Sequence, residues 1–198
     1  MKSLLLICIF SNIVFSQLLP GGSSDRYENN KYSNNSSITM LRAGVNGLKI
    51  SENYGFEGEI DFTNVNKNKI VVGFGLNATL FSTFKTNEIY SEYIRYFSIY
   101  GSGGYFIKLK NNIHFIPNIN LGFGRMNTAT SSFGISRDVN GDFYFYLEPK
   151  LDLDFKIYKK NYLGFSTSYR IYTDIEKYKF SNSDFNGFII NLSYKLML

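Results

Sequence analysis

Side chains that commonly carry chemistry are scarce in this 198-residue sequence, which contains one histidine and one cysteine. Protein zinc sites combine several His, Cys or carboxylate ligands, so a histidine-based metal cluster cannot form around His114. We expect His114 to be an ordinary interior or turn residue. The sequence predicts no catalytic residue, no metal site and no cofactor.

The segment DVNGD at 138–142 places Asp138, Asn140 and Asp142 at alternate positions, like a fragment of a calcium loop. Calcium loops need the full ligand spacing and a distal glutamate, and both are missing here. A polar hairpin turn is the expected structure.

The segment GSGGY at 101–105 is rich in glycine, as phosphate-binding loops are. Such loops lead into a helix, but GSGGY lies within a predicted strand. We expect its small residues to permit close packing or strong curvature.

The net charge is +5, and the basic residues are scattered among predicted strands and turns. Nucleic-acid-binding proteins concentrate lysine and arginine in a patch or stripe. We therefore expect no nucleic acid among the partners.

Residues 1–16, MKSLLLICIFSNIVFS, are typical of a secretory signal peptide. Lys2 is followed by an apolar run, and the small residue Ser16 precedes Gln17, where we expect cleavage. An uncleaved anchor is the alternative.

Cys8 lies inside that apolar run, so cleavage would leave a chain without thiols. The preceding Ile7 is not the small residue that a lipoprotein requires. Residues 17–37 are rich in Ser, Asn and Gly, and they predict a flexible tail before the folded domain.

From Ile38 onward, apolar and polar residues alternate with a period of two, which is the pattern of β-strands. No apolar run reaches the ~18 residues of a membrane helix. The alternation predicts an all-β fold, an eight-stranded antiparallel up-and-down transmembrane barrel over residues 38–198. The strands are expected near 38–48, 54–62, 70–81, 96–109, 113–126, 143–158, 162–172 and 185–197.

The polar face of these strands is expected to line the interior, because an eight-stranded barrel is just wide enough to be filled by side chains. Enclosed charges are tolerated when they are paired. The predicted interior network is Arg42, Glu57, Glu59, Asp61, Glu148, Lys150, Asp152, Asp154, Arg170 and Lys195. With Lys108 and Lys156 it would contain six charges of each sign. The alternative is a soluble lipocalin-like barrel with these charges outside.

The connections support the membrane interpretation, since outer-membrane barrels have short periplasmic turns and longer external loops. Tight turns are predicted at 110–112 and 159–161, and long loops at 82–95, 127–142 and 173–184. Aromatic girdles are expected from Phe97, Phe143 and Phe145 at the outer rim, and from Phe115, Phe155, Phe165 and Tyr194 at the inner rim.

Pro117 and Pro149 fall inside predicted strands, although a closed barrel has no edge strand for a residue without an N–H. A bulge or a locally open ladder is expected at each.

Residues 38–198 resemble the small outer-membrane β-barrels typified by the eight-stranded OmpA and OmpX-like proteins. The C-terminal IINLSYKLML is similar to the signal read by the barrel-insertion machinery, although it ends in Leu198 and not in an aromatic residue. The resemblance implies the outer membrane of a Gram-negative bacterium, with outer-membrane lipid, lipopolysaccharide and the insertion machinery as partners.

Some relatives in this family deacylate lipid A with His, Ser and Glu at the outer rim. Here His114 follows a predicted periplasmic turn, so we expect no enzyme. The expected role is structural or surface interaction through the external loops, which are the usual location of binding sites. A narrow pore for small solutes or ions and a lipid-modifying enzyme are the alternatives.

Overall fold

The computed structural model describes residues 37–50, 53–82, 84–87, 90–132, 135–173 and 182–198. The predicted signal peptide and nearly all of the predicted tail lie outside this part of the chain. None of the described residues forms a helix with the length and hydropathy needed to cross a membrane.

The described residues form β-strands and one helical turn. The strands are β1 (Ile38–Ile50), β2 (Asn53–Val65), β3 (Ile70–Ser82), β4 (Phe84–Asn87), β5 (Tyr90–Tyr105), β6 (Ile107–Lys110), β7 (Ile113–Ser132), β8 (Ile135–Tyr158), β9 (Asn161–Thr173) and β10 (Gly187–Met197). The helical turn, α1, is Asn182–Phe185.

The sheet closes into a barrel in which paired strands run antiparallel. β1 pairs with both β2 and β10, and β5 pairs with both β3 and β7. The closed ring contains β1, β2, β3, β5, β7, β8, β9 and β10. The short strands β4 and β6 pair with β5 and β7. The predicted eight-stranded antiparallel barrel is therefore confirmed.

Short connections at 66–69, 111–112 and 159–160 lie at one end of the barrel, which we call the turn end. The opposite end, where β7 leads into β8, is called the loop end.

Pro117 opens the sheet between β5 and β7. The pairing of β5 with β7 ends at Gly104↔Asn118, and β6 resumes it at Ile107↔Phe115. Proline has no N–H to donate, so the ladder is interrupted on the side to which that N–H would point.

Pro149 has the same effect between β8 and β9. That ladder is interrupted after Leu147↔Ile171 and resumes at Lys150↔Ser168 without a change of register. Both prolines leave the β7–β8 ladder intact. The locally open ladder expected at each proline is present at both.

The connection predicted as a loop at 127–142 is mostly a β-hairpin. β7 and β8 pair as far as Ser132↔Ile135, after a bulge near Met126. The DVNGD segment lies within β8, so the polar turn predicted there is wrong. Polar composition does not prevent a strand from forming, because the ladder is made by backbone groups.

The predicted loop at 82–95 also contains paired backbone, since β4 pairs with β5 from Phe84↔Glu92 to Asn87↔Tyr90. Of the third predicted loop, 173–184, residues 174–181 lie outside the described part of the chain.

The two faces of the barrel wall have opposite chemistry. Leu192 and Phe165 face outward and are 57% and 49% exposed, whereas Glu57 and Arg170 face inward and are 0% and 1% exposed. A soluble lipocalin-like barrel would place its apolar face inside. The observed burial excludes that alternative.

Candidate functional site

The inner face of the barrel is formed by every second residue of each strand, because side chains at i and i+2 point to the same face. The structure places all of the predicted network residues on this face, and none is more than 5% exposed. They come from β1 (Arg42), β2 (Glu57, Glu59, Asp61), β8 (Glu148, Lys150, Asp152, Asp154), β9 (Arg170) and β10 (Lys195).

Arg42 is the centre of the ionic cluster nearer the turn end. Its guanidinium donates to Glu59 at 2.9 Å and to Asp152 at 3.1 Å, and it also contacts Asp61. One guanidinium thereby joins carboxylates from β2 and β8.

Two lysines extend this cluster. Lys195 Nζ lies 2.7 Å from Asp154 and 3.6 Å from Asp152. Lys150 Nζ lies 3.0 Å from both carboxylate oxygens of Glu59. Strands that are not neighbours in the barrel are thus connected across the lumen.

Arg170 is the centre of a second cluster, nearer the loop end. It donates to Glu57 and to Glu148, with N–O distances of 2.7 Å for the shortest bond to each. Its guanidinium also lies 4.7 Å from the ring centroid of Tyr146 and 5.8 Å from that of Tyr172. Charge pairing and ring contacts together offset the removal of this arginine from water.

Tyrosine hydroxyls complete the network, and the sequence analysis missed them. Tyr96 donates to Glu57 at 2.7 Å, and Tyr100 donates to Glu59 at 2.6 Å. The sequence does contain a signal for them in the Phe-Tyr-Phe-Tyr run at 143–146. Its tyrosines occupy the same alternate positions as the charged residues that follow, so they face the same side of the strand.

Two lysines predicted to lie in the lumen are not buried there. Lys108 is exposed and Lys156 is half-buried. Both lie close to the turn end, where a long lysine side chain can reach water. Among residues whose burial the structure describes, the lumen contains four Lys or Arg and six Asp or Glu. The predicted balance of six against six is therefore wrong.

An apolar layer closes the lumen at the turn end. It consists of Met40, Val65, Val71, Phe106, Ile116, Tyr162 and Met197. His114 lies in this layer, with its ring centroid 4.7 Å from that of Phe106 and 4.9 Å from that of Tyr162. In the described part of the chain, no cluster of His, Cys, Asp or Glu has an arrangement that could hold a metal ion.

A larger, tyrosine-rich layer closes the loop end. It consists of Leu48, Ile94, Tyr96, Tyr100, Met126, Tyr144, Tyr146, Tyr172, Phe185 and Ile189. Phe185 enters it from α1, with its ring 5.9 Å from that of Tyr172. The side-chain oxygen of Asn186 accepts a hydrogen bond from the Tyr172 N–H at 2.7 Å, which fixes α1 over the barrel.

A cavity of about 20 Å³ lies between these layers, beside Arg42, Asp61, Asn118 and Asp152. A buried water needs about 10–15 Å³ of such space. At this level the lumen has room for one or two water molecules and not for a solute.

At the loop end, β8 extends beyond its partner β9. The pairing of β8 with β9 stops at Phe145↔Thr173, but β8 continues to Ile135. Among the described residues, 135–144 therefore have no ladder with β9, and eight of them pair with β7 on either side of a bulge at 140–141. β5 accompanies β7 over most of this length. We call this three-stranded extension of β5, β7 and β8 the projecting sheet.

Solved structures that are similar to this chain include outer-membrane proteins. The chain is similar to a major outer membrane protein of Thermus thermophilus, with a TM-score of 0.58 and 8% identity over 82% of this chain and all of that one. It is also similar to the neisserial surface protein NspA, with a TM-score of 0.51 and 9% identity over 83% of this chain and 97% of that one. The chain has the fold of the small outer-membrane β-barrels.

A third small outer-membrane β-barrel is the attachment invasion locus protein Ail of Yersinia pestis, solved with the heparin analogue sucrose octasulfate. Its TM-score is 0.50, with 13% identity over 82% of this chain and 97% of that one. At sequence identities of 8–13%, these similarities show a shared fold and nothing about function. No protein-family model matches the sequence, and no curated protein sequence matches it.

Proposed function

We propose that this protein is an outer-membrane barrel of a Gram-negative bacterium, exported by a cleaved signal peptide, that binds an extracellular partner through the projecting sheet. Among the described residues, the segment of β8 at 135–144 has no ladder with β9, and this edge is the observation that supports the function. An edge strand presents unpaired N–H and C=O groups. An extended peptide segment can add to such an edge as a further strand.

Strand lengths and wall chemistry support the membrane location. The outward face is apolar on every side of the barrel, as lipid contact requires. A membrane-spanning strand needs about 9–11 residues, whereas β7 has 20 and β8 has 24. The turn end then faces the periplasm, the loop end faces the outside, and the surplus of β7 and β8 projects from the cell.

The closed lumen supports a binding role in preference to conduction. Apolar layers at both ends and the ionic clusters between them fill the inner face. His114 is packed between Phe106 and Tyr162 at the turn end, far from the outer rim, where a lipid A deacylase would act. Outer-membrane lipid, lipopolysaccharide and the barrel-insertion machinery are the other partners we propose.

A shortened hairpin tests this function. Removal of Thr128–Val139 joins Asn127 to Asn140 and Gly141, which leaves a three-residue turn with glycine, a favourable hairpin connection. Both proteins are reconstituted and used to select from a phage-displayed library of random peptides. We expect the full-length barrel to enrich peptides that alternate apolar and polar residues, and the shortened barrel to lose them.

The control is Lys67→Ala, which lies in the turn at the opposite end of the barrel and should keep full peptide binding. Each variant is first checked for a heat-dependent mobility shift on a detergent gel. If the selected peptides bind the shortened barrel as well as the full-length one, the projecting sheet is not the binding surface.

A further inference from the structure

Lysines collect at the turn end of the barrel. They belong to the connections at 66–69, 111–112 and 159–160 and to the strand ends beside them, so residues far apart in the sequence lie at one end of the fold. The seven are Lys67, Lys69, Lys108, Lys110, Lys156, Lys159 and Lys160. All are exposed except Lys156, which is half-buried.

The same segments of the turn end contain no acidic residue. Within the described chain, 66–70, 107–113 and 156–161 have neither Asp nor Glu. Asp61 and Asp154, which lie further from the turns, are buried in the lumen, where Arg42 and Lys195 pair with them. The surface of the turn end therefore has an excess of positive charge.

The loop end differs, because charges of both signs are present there. Outside the lumen network, its described segments contain five basic and four acidic residues. These are Lys49, Lys85, Arg95, Arg125 and Arg137, and Glu92, Asp138, Asp142 and Asp184. A strong excess of one sign is thus a property of the turn end.

The lysines of the turn end adjoin the apolar outer wall. Leu109, which separates Lys108 from Lys110, is 56% exposed. Lys159 Nζ lies 5.2 Å from the ring centroid of Tyr158, and this ring is 49% exposed. Tyrosine is enriched where hydrocarbon meets lipid headgroups, and a lysine beside apolar surface extends its ammonium group into the polar layer. This arrangement is the one expected at a membrane surface.

We propose that the lysines of the turn end bind the headgroups of anionic phospholipids in the leaflet that surrounds them. This inference rests on the membrane location proposed above and not on the peptide-binding role. Clusters of lysine beside a membrane-spanning segment attract anionic lipid. A lipid is favoured over a soluble anion because the adjoining apolar wall contacts its acyl chains while the lysines contact its phosphate.

The absence of tryptophan from the sequence permits a single-site fluorescent reporter. Phe155→Trp places it on the outward face of β8 toward the turn end, and Phe145→Trp places it on the same face toward the loop end. The replaced side chains are 41% and 58% exposed. If Phe155→Trp fails to fold, Ile157→Trp takes its place, since Ile157 is 55% exposed on the same face.

Each full mature chain is reconstituted in phosphatidylcholine vesicles with increasing fractions of a lipid brominated on its acyl chains. The brominated lipid is phosphatidylglycerol in one series and phosphatidylcholine in the other, and the second series corrects for the depth of each reporter. We expect phosphatidylglycerol to quench the tryptophan at 155 at a several-fold lower fraction than phosphatidylcholine does. At 145 the two lipids should differ much less. Added sodium chloride should weaken the preference at 155.

Two triple variants, each combined with Phe155→Trp, give a matched comparison at equal net charge. One removes an exposed lysine beside each turn and is Lys69→Asn, Lys110→Gln and Lys160→Gln. Asn is used at position 69 because the φ there is 65°, which Asn adopts more readily than most residues. The other removes three exposed cations of the loop end and is Lys49→Gln, Arg95→Gln and Arg125→Gln. We expect only the turn-end variant to lose most of the preference for phosphatidylglycerol.

Equal quenching by the two lipids at 155, or a preference that the two triple variants change to the same extent, overturns the proposal. A preference that excess inorganic phosphate removes, and that sodium chloride at equal ionic strength does not, would assign the lysines to a soluble anion and also overturn it. A barrel that shows the preference but binds no peptide refutes the proposed peptide-binding role alone. If neither lipid quenches either tryptophan, the membrane location is refuted together with this proposal.

Discussion

The two faces of β8 have opposite chemistry. Tyr144, Tyr146, Glu148, Lys150, Asp152 and Asp154 point into the lumen and are buried. Phe143, Phe145, Leu147 and Leu151 point outward and are 40–67% exposed. The barrel thus inverts the arrangement of a soluble protein, because its ionic and hydrogen-bonded groups form the core.

This comparison indicates which face of the barrel wall contributes more to stability. In the proposed membrane location, the outward side chains contact lipid tails that are equally apolar, so their packing adds little stability. Inside, each charged group depends on its partner, since an unpaired buried charge costs several kcal/mol. Substitutions on the two faces should therefore have very different effects.

The largest difference is expected for a pair of arginines. Arg170→Ala leaves Glu57 and Glu148 in the lumen without their shared cation, and it should lower the free energy of unfolding by about 3–5 kcal/mol. Arg125 is exposed, with its guanidinium 5.8 Å from the ring of Phe143, so Arg125→Ala should cost at most about 1 kcal/mol. Urea unfolding in lipid vesicles measures both. Equal losses would mean that the lumen is not organised by Arg170.

A lysine on the outward face tests the contact with lipid. Leu192 lies in the middle of β10 and is 57% exposed, and Leu198 ends the chain and is 60% exposed. In a bilayer, Leu192→Lys should cost about 2–4 kcal/mol and Leu198→Lys about 0–1 kcal/mol. The same vesicle unfolding assay compares them. Similar small effects at both positions would indicate that this face meets water.

The smallest effect is expected from a single hydroxyl. Tyr96→Phe removes the hydrogen bond to Glu57 and keeps the ring, and it should destabilise the barrel by about 1.5 kcal/mol. Tyr158 is 49% exposed, so Tyr158→Phe should change stability by less than about 0.5 kcal/mol. A Tyr96→Phe barrel as stable as the parent would show that the tyrosines only fill space.

The strands and their faces could be predicted because alternation is a local signal. A period of two assigns both the strand and the side of each residue, so Glu57, Lys150 and Arg170 were identifiable without any contact information. The open ladders at Pro117 and Pro149 followed from the missing N–H in the same way.

The prediction of burial failed for residues whose height along the barrel decides their exposure, even though alternation assigns them to the inner face. Lys108 and Lys156 stand at alternate positions that face inward, but they lie near the turn end, where their side chains can reach water. The lumen tyrosines were not assigned to the network, although the hydroxyls of Tyr96 and Tyr100 donate to buried carboxylates. The hairpin beyond Met126 was missed because its polar composition suggested a loop.

Arg42 and Lys195 belong to the first and last strands of the ring, and both reach Asp152 on β8. Asp152 therefore acquires its full set of counter-charges when the seam between β1 and β10 is sealed. An open intermediate that entered hydrocarbon would carry these ions uncompensated, which is costly. In the proposed membrane location, we therefore expect closure of the seam between β1 and β10 to be coupled to membrane entry.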